Sequence, residues 1–135
     1  MPDWSGAQAP TLEDVERLAL AAYSRLPATF RALCQDLVIQ VLDFPDDETL
    51  DEMHAETEFD LLGLFRGRGM AQGAAMAVTG ELPNMIWLYR RPLLDFWCDG
   101  EETLGAVVAH VLVHEIGHHF GFSDEDMIAI EQAAR

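Results

Sequence analysis

Residues 114–118 read His114-Glu115-Ile116-Gly117-His118, an H-E-x-x-H pattern. On an α-helix, residues four apart stand one above the other, so His114 and His118 offer two imidazoles to a single ion. Glu115 is turned about 100° from His114, where its carboxylate reaches a water at the ion without ligating the metal. Zinc lowers the pKa of such a water towards about 7, and a carboxylate then takes its proton. The run continues as HEIGHHFGFSD, with Gly121 three residues and Asp124 six residues after His118. Glycine readily ends a helix in the left-handed conformation, so the chain can reverse and return Asp124 as a third ligand. Glu125 and Asp126 compete for that role, and the spacing from the glycine favours Asp124. Two histidines and a carboxylate leave a fourth position open, as a catalytic site requires.

The pattern is specific. With five histidines and twelve glutamates in 135 residues, a chance H-E-x-x-H occurs in roughly one such chain in sixty. Adding the glycine and the aspartate brings this to roughly one in ten thousand. The same donors suit zinc, iron, manganese or nickel, and also describe the facial triad of non-haem iron oxygenases. The single-helix register with its base in place favours one zinc per chain.

These residues need a helix to carry them. The segment from Glu101 to about Phe120 has no proline, and nearly every residue from Leu104 to Val113 is apolar. This predicts a helix at the buried centre of the molecule, opened by Asp99 and Glu102 as a capping pair and closed by Gly121. Ser123 with Asp126 predicts the cap of a last helix, Asp124 to Ala134. Upstream, Thr11 to Leu26 reads as an amphipathic helix with Thr11 and Asp14 as its capping box, stopped by Pro27. A short helix is expected at Phe30–Asp36. Leu37–Leu42 is expected as a buried strand, Leu61–Phe65 as a second, and Met85–Arg90 as a third with alternating large apolar residues. Gly67–Asn84, rich in glycine, alanine and methionine, reads as a long loop and a candidate flap over the site.

Composition narrows the function. Twenty-four acidic residues against eight basic ones give a formal charge of −16. All eight basic residues are arginine. Such a field repels nucleic acid and anionic lipid, so neither is an expected partner. Nine acids and no arginine lie between Asp43 and Asp60, which predicts a solvated loop with a helical turn. Two cysteines make no disulfide framework. The first residues lack a basic start and an apolar stretch, and no run is long enough for a membrane span. The expectation is a cytoplasmic protein with a flexible tail at 1–10 and a single domain over 11–135.

The register H-E-x-x-H-x-x-G-x-x-D resembles the zincin metallopeptidases, and most closely a family of small bacterial zincin-like proteins. The likeness extends to Ile86–Leu94, IWLYRRPLL, similar to that family's strand and turn ahead of the active-site helix. It covers most of residues 12–133. It implies a compact α+β domain, with a small mixed sheet packed on a central active-site helix. It implies zinc held by His114, His118 and Asp124, with Glu115 as general base. The third histidine of metzincins is Asp124 here, and the eleven residues beyond it leave no room for their methionine turn, Met127 being too close.

The leading reading is hydrolysis of peptide bonds by metal-activated water, on a peptide or protein substrate that the acidic surface biases towards basic sequences. The strand Met85–Arg90 would hold an extended peptide if it forms a sheet edge. One rival reading is a non-catalytic metal-binding module that regulates or docks a partner. Another is an acidic decoy for a nucleic-acid-binding protein, which leaves the H-E-x-x-H pattern unexplained. Among the neighbours, His110 lies on the stripe of His114 and reads as a partly buried histidine or a support to the site. His119 is off that stripe and reads as a packing residue. Arg90 and Arg91 read as partners of the acidic surface before substrate binders. Tyr89 reads either as an oxyanion donor or as a core residue. Cys98 reads as a small buried residue, and Trp87, Phe96 and Trp97 as core aromatics.

Overall fold

The computed structural model describes residues 3–67 and 83–134. The expected flap at Gly67–Asn84 lies outside these residues over 68–82. The elements in chain order are a 3-10 turn at Trp4–Gly6, α1 (Leu12–Arg25), α2 (Ala28–Cys34), β1 (Val38–Leu42), α3 (Asp47–Glu52), β2 (Gly63–Arg66), β3 (Met85–Tyr89), α4 (Arg90–Cys98), α5 (Leu104–His119) and α6 (Asp124–Ala133). Helices and a small mixed sheet make the chain α+β, as expected.

Local chemistry accounts for most boundaries. The Thr11 hydroxyl accepts from the Asp14 N–H at 3.1 Å, and the Thr11 N–H donates to the Asp14 carboxylate at 2.9 Å, closing the capping box of α1. In α3, within the acid run, the Asp46 carboxylate accepts from the Thr49 N–H at 2.8 Å.

Two expectations about boundaries are corrected. The chain after β3 does not merely turn: Arg90–Cys98 is a helix, with Pro92 in its first turn, where a missing N–H costs no hydrogen bond. Asp99 ends that helix and does not open the next. The N-cap of α5 is Thr103, whose hydroxyl accepts from the Ala106 N–H at 3.1 Å.

The sheet has the order β1-β3-β2, with β1 parallel and β2 antiparallel to β3. So Met85–Tyr89 is the central strand and not an edge. β1, expected to be buried, is an edge strand with Val38, Gln40 and Leu42 exposed and the residues between them half-buried. The alternation read into β3 holds: Ile86 and Leu88 are wholly buried and join the main core.

That core is built around α5, which touches α1, α4, α6, β2 and β3. Val108, Leu112, Val113 and Ile116 have no exposed surface, so the expectation of a central buried helix holds. Small residues let its neighbours approach. On α1 these are the buried Ala19 and Ala22. On β2 it is Gly63, where a Cβ would lie 2.9 Å from Val111 Cγ1 and 3.0 Å from the Trp87 carbonyl oxygen. Among the expected core aromatics, Trp97 packs on the core, Trp87 is half-buried and Phe96 is exposed. Cys98, expected to be buried, is exposed because it ends α4 at the surface. Cys34 is the buried thiol, and the Asn84 side chain donates to its carbonyl at 2.6 Å.

Burial pushes the Cys34 thiol from 9.0 up to about 11, and the Tyr23 phenol beside it from 10.0 up to about 12. Unfolding lets both ionise at their ordinary values, so the unfolded chain binds fewer protons between these limits and stability falls as pH rises. We expect full stability below pH about 9 and a loss on the order of 2 kcal/mol as pH is raised through about 11 to 12. Denaturant midpoints at stepped pH check this, and Cys34→Ala with Tyr23→Phe should flatten the decline.

Candidate metal centre

The end of α5 has the features the motif requires. Phe120 is its C-cap, and Gly121 takes φ +81°. The Phe122 N–H donates to the Gly117 carbonyl at 2.8 Å and the Gly121 N–H to the His118 carbonyl at 3.2 Å. These are the two bonds of a Schellman closure. Ser123 then opens α6: its hydroxyl accepts from the Asp126 N–H at 3.1 Å, and its own N–H donates to the Asp126 carboxylate at 3.4 Å. Asp126 is therefore engaged in the cap, as the sequence expectation for this helix requires.

The two helices form an antiparallel pair, and one close contact sets their register. Met127 is wholly buried against Gly117. A Cβ on Gly117 would meet the Met127 thioether sulfur and stand 2.8 Å from its Cγ. Asp124, Met127 and Glu131 are spaced three and then four residues apart, so they share one stripe of α6, on which Met127 is buried, Glu131 half-buried and Asp124 exposed. One end of that stripe meets His110: its Nδ1 lies 2.7 Å from Glu131 Oε1. The other end carries Asp124, near enough for its charge to act on His114.

The imidazoles form a row along α5. The rings of His110 and His114 stack at 3.9 Å between centres and 34° between planes. Those of His114 and His118 stand 5.7 Å apart at 85°. Two imidazoles sharing a tetrahedral zinc through bonds of about 2.0–2.1 Å have ring centres about 5 Å apart. The second spacing is wider than that and the first is closer. Among the described residues, the ligand atoms that lie within 4.8 Å of one another are those of His110, His114 and Glu131, a group that shares only His114 with the expected ligands His114, His118 and Asp124. His114 Nε2 is buried with no hydrogen-bond partner among the described residues. Burial, and then the neighbouring His110, hold the His114 ring below its ordinary pKa, in the neutral form a metal needs. The donor set thus fits a zinc ion.

Glu115 is half-buried and its carboxyl is pushed by burial from 4.5 up to about 7. A carboxyl group there exchanges a proton near neutral pH, which is what a general base must do. His119 packs its ring on Phe65 of β2 at 4.5 Å and on Phe120 at 4.9 Å, consistent with its reading as a packing residue.

Both arginines after β3 are tied into the fold. Arg90 Nε donates to the Pro10 carbonyl at 2.6 Å, and its Nη1 lies 3.0 Å from the Asp43 carboxylate, so it ties the N-terminal segment to the loop after β1. Arg91 sits over the Phe44 ring at 5.5 Å. Tyr89 is buried, its phenol pushed up to about 12 by burial and then by Asp46. It lines a cavity with Phe44, Asp46, Arg66 and Trp87 on the sheet face turned from the main core.

Glu131 escaped the sequence reading, although its seven-residue spacing from Asp124 was a visible signal. A gap as close as that at Gly117 has no sequence signature beyond the glycine itself. We expect Gly117→Ala to lower stability by about 1–3 kcal/mol, although alanine in a helix interior ordinarily adds up to about 1 kcal/mol over glycine. It should also weaken zinc affinity by about tenfold or more, because α6 is levered off α5 and takes Asp124 with it. Thermal unfolding and a zinc titration read the two effects.

Comparison with known proteins agrees with this architecture. No curated protein matches the chain. A family model described as zincin-like metallopeptidase matches residues 34–134, from the end of α2 through α6. The chain belongs to the zincin-like metallopeptidase family.

Proposed function

We propose that this protein is a zinc-dependent peptidase in which His114, His118 and Asp124 hold the ion and Glu115 is the general base. The observation that carries the reading is the pairing, on one buried helix, of a neutral, unpartnered His114 Nε2 with a neighbouring carboxyl poised near pH 7. Zinc, when bound, supplies a Lewis acid that polarises a carbonyl and acidifies water. Glu115 takes the proton of the attacking water and delivers it to the leaving amine. Burial of Glu115 raises its basicity, so the carboxylate is a stronger base than an exposed glutamate would be. His119 and Phe65 brace the end of α5 against β2, which keeps the base and ligands in place.

Substrate alignment falls to β2. The strand first expected to bind an extended peptide, Met85–Tyr89, is paired on both sides. β2 has only β3 as a neighbour among the described residues, and it packs directly on α5. An extended peptide added to its outer edge would run beside the H-E-x-x-H turn.

Metal content tests the reading. Protein purified without chelator should carry about one zinc per chain, lost or weakened in His114→Ala, His118→Ala and Asp124→Ala. Glu115→Gln should keep its zinc and lose hydrolysis of a broad peptide library by about 10²–10⁴-fold. Zinc lost in His110→Ala and Glu131→Ala but retained in Asp124→Ala would move the ion to the other donor group. Equal hydrolysis by wild type and Glu115→Gln would sink the catalytic reading.

A further inference from the structure

One turn before His114, α5 borders a cavity of about 240 Å³. Its walls are apolar, formed by Leu62, Phe96, Val107 and Val111. Three ionisable side chains also line it: Glu102, His110 and Glu131. Small-molecule sites span about 300–1,000 Å³, so this space suits one large side chain better than a cofactor. It adjoins the metal centre, because His110 both lines it and stacks on His114 at 3.9 Å. One helical turn is about 5.4 Å, so a side chain seated here belongs to a residue flanking the bond cut at Glu115.

The lining determines the chemistry of the guest. Apolar walls accept an aliphatic stem, and carboxylates accept a cationic head. The Glu131 side chain is only 13% exposed, and its single ion-pair partner among the described residues is His110. An ionised carboxylate can accept about four hydrogen bonds, so Glu131 keeps capacity for a guest. No arginine lines the cavity to compete for it, and the chain contains no lysine. We infer that this cavity is a specificity pocket that receives a long basic side chain, arginine or lysine, from a peptide substrate. The inference rests on the peptidase reading for its role and on the pocket alone for its binding chemistry.

The test separates these two. Full-length, zinc-loaded Glu115→Gln protein is labelled for amide NMR and titrated with N-acetylargininamide and with N-acetylcitrullinamide, a neutral analogue of nearly the same shape. The arginine probe should shift the amides of Val107, His110 and Val111 and bind about tenfold or more tighter than the citrulline probe. Adding Glu102→Gln and Glu131→Gln should abolish that difference while zinc content is retained. Equal binding of the two probes, shifts confined to other residues, or a preference unchanged in the glutamine variants would overturn the inference. So would loss of zinc from Glu131→Gln alone, which would place that carboxylate at the ion. Wild-type protein is then given a mixed peptide library. Cleavage concentrated beside arginine and lysine supports the pocket, and cleavage indifferent to them overturns it. Selective arginine binding with no cleavage of any peptide would sink the peptidase reading and leave the pocket standing.

Discussion

The structure depends on keeping α5 buried while its last turns carry ionisable groups. Val108, Leu112, Val113 and Ile116 are wholly enclosed, and each such side chain contributes about 1.5–3 kcal/mol relative to exposure. Their sum, on the order of 10 kcal/mol, is an upper bound because the unfolded chain already hides some apolar surface. Holding the Glu115 carboxyl from 4.5 up to about 7 corresponds to a few kcal/mol against its charged form. The apolar half of the helix outweighs that penalty, so a partly desolvated base can be kept at one end. A surface helix with the same five-residue motif would hold its glutamate at an ordinary pKa and would lack that basicity.

Burial alone does not set where α6 runs against α5. That task belongs to three backbone-scale features: the positive φ of Gly121, the contact of Met127 on Gly117, and the capping box of Ser123 with Asp126. The first reverses the chain, the second sets how far apart α5 and α6 lie, and the third fixes where α6 begins. Together they put Asp124, Met127 and Glu131 on one stripe of α6, from which Glu131 meets the first of a row of three histidines and Asp124 lies near enough for its charge to act on His114. His114, in the middle of that row, is the one expected ligand that the structure brings together with His110 and Glu131. The rings differ in arrangement along the row, stacked at 3.9 Å between His110 and His114 and perpendicular at 5.7 Å between His114 and His118.

What could be read from the sequence follows from how local each cause is. The capping boxes of α1 and α6 are spaced pairs of polar residues, and both were legible. So was the glycine end of α5. The helix Arg90–Cys98 was obscured because its proline suggests a break, although in a first turn proline costs nothing. The edge position of β1 was not legible: LVIQVL reads as buried whichever side of the sheet it takes, and only its pairing with β3 leaves alternate residues in water. The close contacts at Gly63 and Gly117 depend on Trp87, 24 positions from the first, and Met127, 10 positions from the second. No local pattern announces them. Glu131 lies beyond the motif, which ends at Asp124, and only the seven-residue spacing between the two puts it on the same face of α6.

The arginines complete the electrostatic design. Arg90 joins the N-terminal segment to Asp43, Arg91 covers Phe44, and Arg66 pairs with Glu52 at 2.6 Å. These three positive charges thus act as staples around the sheet, and the acids of the 43–60 run face solvent. Exposed pairs of this kind add little stability, about 0–1 kcal/mol each, so their main effect is to fix loops and leave a field of one sign. That field is screened beyond about 8 Å at physiological salt, which makes it a means of attracting basic chains without discriminating among them. Discrimination needs a carboxylate that is held still and shielded from water. Glu131, with 13% of its side chain exposed and its carboxylate against His110, meets that requirement where the exposed acids of the 43–60 run do not.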